Sequence, residues 1–262
     1  MGCAIQFESH RDELPFVYLM DHDPHVLEFY DQPYGQMRLT YRNQDNTRNV
    51  TIRHTPDFFV LREDGAGWGE CKMEEHLVSL AEQRPYRYQK RPDGFWSCPP
   101  GEAYTAKYGL TYRLFSSREI DWTYIQNLRF LGDYLRGSPP AVSADVAMVI
   151  RTMVMSQPGV RLLDLLNSLH RGQADDVYQL ITDQVYVNLS AVRLTDYEHI
   201  QVFLDRDQAE SYATLHPSSA SLPRPSTLQL SVGAPCRSAR FFSPEFVSGG
   251  TGKIGVHDQH SA

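Results

Sequence analysis

The stretch HTPDFFVLREDGAGWGECK, residues 54–72, decides how the chain reads. Two apolar runs are separated by the turn residues REDGAG. DFFVL is apolar on both faces and reads as a central strand, with WGECKM as the strand returning beside it. Side chains alternate with period two, so Glu70 and Lys72 project from one face and Cys71 from the other. Asp57 opens the neighbouring strand, where its carboxylate can reach the same edge. Charges set in such apolar strands are costly unless they are paired or used.

Working outward, the pattern is that of an α/β domain. SHRDELPFVYLMD (9–21) carries Leu14, Val17 and Met20 at helical spacing, with Phe16 and Leu19 widening the stripe. Ser9 or Asp12 could cap it; Pro15 favours the later start, which puts the proline among free first-turn amides. Residues 25–31 read as a short strand. GQMRLTYR alternates, with Met37, Leu39 and Tyr41 on one face, and VTIRH continues through Val50, Ile52 and His54. Met73 to Arg91 reads as a helix that Pro85 ends or kinks. GLTYRLF (109–115) is a further strand.

The second half is mainly helical. Ser116 with Glu119 forms a capping box for SSREIDWTYIQNLRFLGDYLR. A Pro-Pro break at 139–140 precedes a helix at 144–156. VRLLDLLNSL and ADDVYQLITDQ form a helix pair joined by HRGQ, and VYVNL and HIQVFL read as two short strands. Helices followed by a small hairpin predict a winged-helix-like module. From about 216 the Ser, Pro and Gly content predicts a disordered tail. The expected division is 1–117, 118–215 and 216–262.

Bulk properties narrow the class. The 262 residues are 41 % hydrophobic with a net charge of −7, which suits a globular protein and argues against one coated in nucleic acid. No run approaches the roughly 18 apolar residues of a membrane helix, and the N-terminus lacks the layout of a secretory signal. The four cysteines, at 3, 71, 98 and 236, have no regular spacing, so a disulfide framework or structural zinc is not expected.

Asp57 and Glu70 converging at one strand edge make a hard-oxygen site for Mg²⁺, for which Mn²⁺ can substitute, with waters and a substrate phosphate completing the octahedron. Lys72 beside it can orient or deprotonate a water and offset charge on a phosphate oxygen. Pro56-Asp57, a spacer, then Glu70-Cys71-Lys72 matches the PD-(D/E)xK pattern of restriction-endonuclease-like nucleases. The bland alternative is a surface ion pair and a polar turn residue. The upstream helix is expected to add an acid: Glu13 first, then Glu8, with Asp12 a further candidate.

The whole layout resembles the TnsA family, the endonuclease subunits of heteromeric, multi-protein DNA transposases. ESHRDELPFVYL, DPHVLEFYDQP, HTPDFFV, WGECK and SSREI…NLRFLGDYLR carry the resemblance, spanning about 8 to 136. Asp23, Pro24, Val26, Gln32 and Pro33 are its more particular signature. The resemblance implies a mixed central sheet flanked by helices, with Glu13, Asp57, Glu70 and Lys72 as the active site and Mg²⁺ held by Asp57, Glu70 and the backbone carbonyl of Cys71. It further implies cleavage of DNA at the 5′ ends of a mobile element, a TnsB-type transposase and a TnsC-type AAA+ ATPase regulator as partners, and a bacterial cytoplasm as the compartment. The rivals are a stand-alone restriction or repair nuclease, and a non-catalytic DNA-binding scaffold with a decayed nuclease core.

RPYRYQKR brings Arg84, Arg87, Lys90 and Arg91 together without an acid, a candidate DNA-phosphate contact. The expected recognition helix, Gln173 to Gln184, instead holds Asp175, Asp176 and Asp183 and no Lys or Arg. Between Val160 and Ile200 three arginines face six acids, so this module is expected to dock proteins rather than DNA. His22 and His25 read as a surface turn, and RFFSPEF (240–246) is an apolar island in the tail.

Overall fold

The computed structural model describes residues 13–33, 35–135, 141–169 and 174–216. The first half runs α1 (Glu13–Asp21), β1 (Val26–Asp31), β2 (Met37–Arg42), β3 (Asn49–His54), β4 (Phe58–Arg62), β5 (Gly65–Lys72) and α2 (Glu74–Gln83). It continues with β6 (Gln89–Lys90), β7 (Trp96–Ser97), α3 (Pro99–Thr105) and β8 (Thr111–Ser116). The second half comprises α4 (Trp122–Phe130), α5 (Gly132–Leu135), α6 (Ala144–Ser156), β9 (Val160–Arg161), α7 (Leu162–Ser168), α8 (Ala174–Ile181), β10 (Tyr186–Val187), β11 (Gln201–Phe203) and α9 (Arg206–Leu215). Glu8, Ser9, Asp12, Pro139, Pro140, the HRGQ turn and the tail with its RFFSPEF island lie outside the described residues.

A mixed sheet ordered β1-β4-β5-β8 forms the centre, so the chain is mixed α/β with helices around a mixed sheet, consistent with a restriction-endonuclease-like core. β4 and β5 are an antiparallel hairpin in which Phe58 pairs with Gly69 and Arg62 with Gly65. β8 joins β5 in parallel, Glu70 opposite Leu114 and Lys72 opposite Ser116. Each face of this sheet covers its own core. One gathers Phe16, Leu19, Phe29, Phe58 and Cys71 and runs on through Leu128, Ile150, Leu165 and Val202, so residues on both sides of position 117 share it. The other gathers Met37, Leu39, Leu77, Leu80, Tyr88, Trp96, Cys98, Tyr112 and Leu114.

Several expectations are corrected. In α1 Phe16, Leu19 and Met20 of the expected stripe are buried, together with Pro15, while Leu14 and Val17 are only half-buried. Phe16 packs on Phe115 of β8, ring centres 4.6 Å apart. The β2–β3 hairpin is a sheet of its own. α2 stops at Gln83 instead of reaching Arg91, and Gln89–Lys90 is strand. Ser116 and Glu119 do form a capping box, yet it caps only the 3₁₀ turn Ser117–Glu119; Asp121 caps α4.

In the second half, α6 spans the expected 144–156. The strands order β10-β11-β9, with β11 antiparallel to both neighbours. Val160 and Arg161 belong to this sheet rather than to the following helix. Asn127 of α4 ties the halves together: its amide donates to the carbonyls of Leu189 (2.7 Å) and Val192 (2.8 Å) and its oxygen accepts from the Leu194 amide (2.7 Å).

Candidate active site

The hairpin sets the geometry. One step past the Phe58–Gly69 pair, Asp57 comes opposite Glu70, on the face that also carries Lys72. Cys71 points the other way, into the core with Phe16 and Phe58. The Asp57 carboxylate accepts from the Cys71 amide at 2.6 Å, and the Asp57 carbonyl accepts from the Gln32 amide at 2.7 Å. Gln32 adopts φ 37°, a left-handed conformation uncommon outside glycine. It ties the end of β1 to the backbone of Asp57. Asp23, from the same signature, is structural: it is buried, pairs with Arg62 at 2.7 Å and accepts from the His25 amide at 2.9 Å.

Glu70 is 1 % exposed and surrounded by donors. Lys72 Nζ lies 2.8 Å from Oε1, where the Tyr88 hydroxyl also donates at 3.3 Å. The Tyr112 hydroxyl donates to Oε2 at 2.5 Å, and His54 Nε2 stands 3.3 Å from that same oxygen. Burial would raise Glu70, but the His54 hydrogen bond and the Lys72 charge outweigh it and hold the carboxyl well below the usual range. Burial would likewise lower Lys72; the Glu70 carboxylate reverses this and keeps the ammonium protonated. Burial also pushes the Tyr112 hydroxyl well up, so it remains a donor.

Asp57 behaves oppositely. Desolvation lifts it to about 6 against the pull of the Cys71 amide and Lys72, and the charges of Glu70 and Glu13 add to the rise. Glu13, in the first turn of α1, is thus electrostatically coupled to Asp57. The fold therefore brings Glu13, Asp57, Glu70 and Lys72 into one neighbourhood.

The basic cluster does not stay together. Arg87 is 5 % exposed and points inward, its Nη2 3.2 Å from His54 Nδ1 and 3.9 Å from Glu70. It is no part of an exposed DNA-facing surface. Lys90 pairs with Glu74 at 2.7 Å and lies over the Trp96 ring. Arg84, Lys90 and Arg91 remain exposed, and Arg91 stands 3.5 Å from Asp93. The helix expected through 91 breaks at Pro85, and the altered chain direction turns Arg87 toward the sheet.

Residues 23–127 match the family model of the TnsA-like endonuclease N-terminal domain. This region is a TnsA-like endonuclease domain. A comparison of the chain with curated proteins found no match. The TnsA-like match spans β1 to α4 and includes Asp57, Glu70 and Lys72, while Glu13 and α1 precede it.

Four residues around Glu70 were not singled out as functional in the sequence: His54, Tyr88 and Tyr112, and Arg87 in its buried role. His54 and Tyr112 sit on the inward phase of alternating strands, which signals burial but not the partner. No helix among the described residues is long and apolar enough to cross a membrane.

Proposed function

We propose that this chain is a metal-dependent DNA endonuclease subunit of a multi-protein transposase, hydrolysing phosphodiester bonds at the 5′ ends of a mobile element. The observation that carries this is the half-buried Asp57 carboxyl, opposite Glu70 and beside Lys72 and lifted by desolvation to about 6. A carboxylate kept from water with so little compensation gains by meeting a cation.

Asp57, Glu70 and the Cys71 carbonyl are hard oxygen donors, a chemistry that suits Mg²⁺ or Mn²⁺. Among the described residues no three His, Cys, Asp or Glu side chains form a ready-made metal cluster. Waters and substrate oxygens would supply the remaining positions, as Mg²⁺ sites commonly require. When bound, the ion supplies positive charge to the scissile phosphate and acidifies a coordinated water.

The chain's own groups divide the remaining work. Lys72, held protonated by Glu70, stabilises charge on a phosphate oxygen and orients water rather than abstracting a proton. At neutral pH Asp57 is mostly ionised and can accept a hydrogen bond or hold the cation. Glu13, at the start of α1, adds negative charge on the open side. Arg84, Lys90 and Arg91 are the exposed cations for backbone phosphates.

The second half fits a winged-helix-like partner module, 118–215. The succession α6, β9, α7, α8, β10, β11, with β11 central, supports that reading. α8 opens with Asp175 and Asp176, which disfavour DNA and favour a protein surface. A TnsB-type transposase and a TnsC-type ATPase are the partners this reading assigns.

The test is cleavage of a donor plasmid carrying transposon ends, with Mg²⁺ and the partner proteins. Lys72→Met should reduce cleavage by about 10²-fold or more while the fold persists. Undiminished cleavage refutes the site. Efficient cutting by the isolated chain favours the stand-alone nuclease instead.

A further inference from the structure

The donors around Glu70 form a directed chain that begins at Arg87. A guanidinium can only donate. Arg87 Nη2, 3.2 Å from His54 Nδ1, therefore makes that nitrogen the acceptor and leaves the imidazole proton on Nε2. Nε2 stands 2.9 Å from the Tyr112 hydroxyl and 3.3 Å from Glu70 Oε2. With Nε2–H donating, the Tyr112 hydroxyl can accept from it and must turn its own proton to Glu70 Oε2. His54 and Tyr112 thus both turn their protons toward Oε2, and Arg87 reaches that oxygen only through His54.

The chain comes from three separate places. Arg87 follows α2, His54 ends β3 outside the central sheet, and Tyr112 lies on β8. Arg87 and Tyr112 are buried and the His54 side chain is 12 % exposed, so no bulk water competes. Among the described residues the buried Arg87 Nε has no hydrogen-bond partner. A charged group kept inside at such cost is explained if its Nη2 contact is what matters. Lys72, with 22 % side-chain exposure, approaches the other oxygen, Oε1, from the solvent side.

We propose that Arg87 and His54 are positioning residues that lock Glu70 through Oε2. Arg87 selects the imidazole tautomer; His54 aims the Tyr112 hydroxyl. The lock keeps the carboxylate plane fixed and leaves Oε1, which accepts from Lys72 and more weakly from Tyr88, as the oxygen that exchanges partners. This rests on the reading of Glu70 as a cation ligand. Groups that orient a ligand in this way typically change metal affinity by 10–100-fold when removed.

Calorimetric titration of the full chain with Mn²⁺ alone tests it, at a temperature where circular dichroism finds every variant folded. His54→Leu and Arg87→Met should each weaken Mn²⁺ binding by about tenfold or more. His54→Gln and Arg87→Lys, which restore a donor, should recover much of the loss. Because Arg87 acts through His54, Arg87→Met added to His54→Leu should weaken binding no further. A merely structural pair would give additive losses of stability and unchanged affinity in the folded protein.

Nitrogen NMR of the histidine rings gives a readout independent of metal. His54 should hold its proton on Nε2 in the parent and populate both tautomers in Arg87→Met. If the parent binds Mn²⁺ and both single variants bind as tightly, the proposal is overturned. If the parent binds no Mn²⁺, the ligand reading of Glu70 fails, while the NMR result still decides whether Arg87 sets the tautomer. Should His54→Leu not fold, the Arg87→Met and Arg87→Lys pair decides by the same two measurements.

Discussion

Asp57→Asn should make the metal-free protein more stable while abolishing its cleavage. Desolvation lifts Asp57 from an ordinary 3.8 to about 6 even after the Cys71 amide and Lys72 have pulled it down. At about 1.4 kcal/mol per pH unit, ionising this carboxyl in the folded chain costs roughly 3 kcal/mol more than in the unfolded chain. The folded chain consequently holds the Asp57 proton more tightly. Its contribution favours folding below about pH 4 and is lost as pH rises through about 6. Asparagine keeps the shape and an oxygen for the Cys71 amide but never ionises. Urea unfolding with chelator present should therefore find the variant about 2–3 kcal/mol more stable at pH 8 but only about 1 kcal/mol more stable at pH 4.5. Glu70 works in the opposite sense: held below the usual range, it contributes stability that is lost as pH falls. Glu70 is present in both proteins, so the difference between them reports Asp57 together with its coupling to Glu70. A variant no more stable than the parent at pH 8, with a difference that does not change with pH, would refute the desolvation argument.

Two further substitutions probe how the halves and the sheet are held. Asn127→Ala removes three buried hydrogen bonds from α4 to the 189–194 loop and strands two carbonyls and an amide. It should cost about 3 kcal/mol or more in urea unfolding, and a loss under about 1 kcal/mol would mean that water replaces the amide. Gly67→Ala would set a methyl 2.0 Å from the Thr111 hydroxyl and 2.6 Å from the Thr111 carbonyl. The carbonyl is backbone and cannot rotate away, so β5 and β8 must part, costing about 3 kcal/mol; thermal melting unchanged from the parent would contradict the close approach.

The sequence by itself determined the hairpin and the charges it carries. DFFVL and WGECK alternate or saturate with apolar groups in a way only strands satisfy, so period two already set Glu70 and Lys72 on one face. The same local logic gave α6 and the strand run at Tyr112 and Leu114. Local pattern failed where distant packing chose: the turn at Pro85 carried Arg87 from an expected surface to the interior. The donors on Glu70 were decided by tertiary structure alone, because His54, Arg87 and Tyr112 are far apart along the chain. Periodicity tells a side chain which way to face; only the packed sheet tells it what it will meet there.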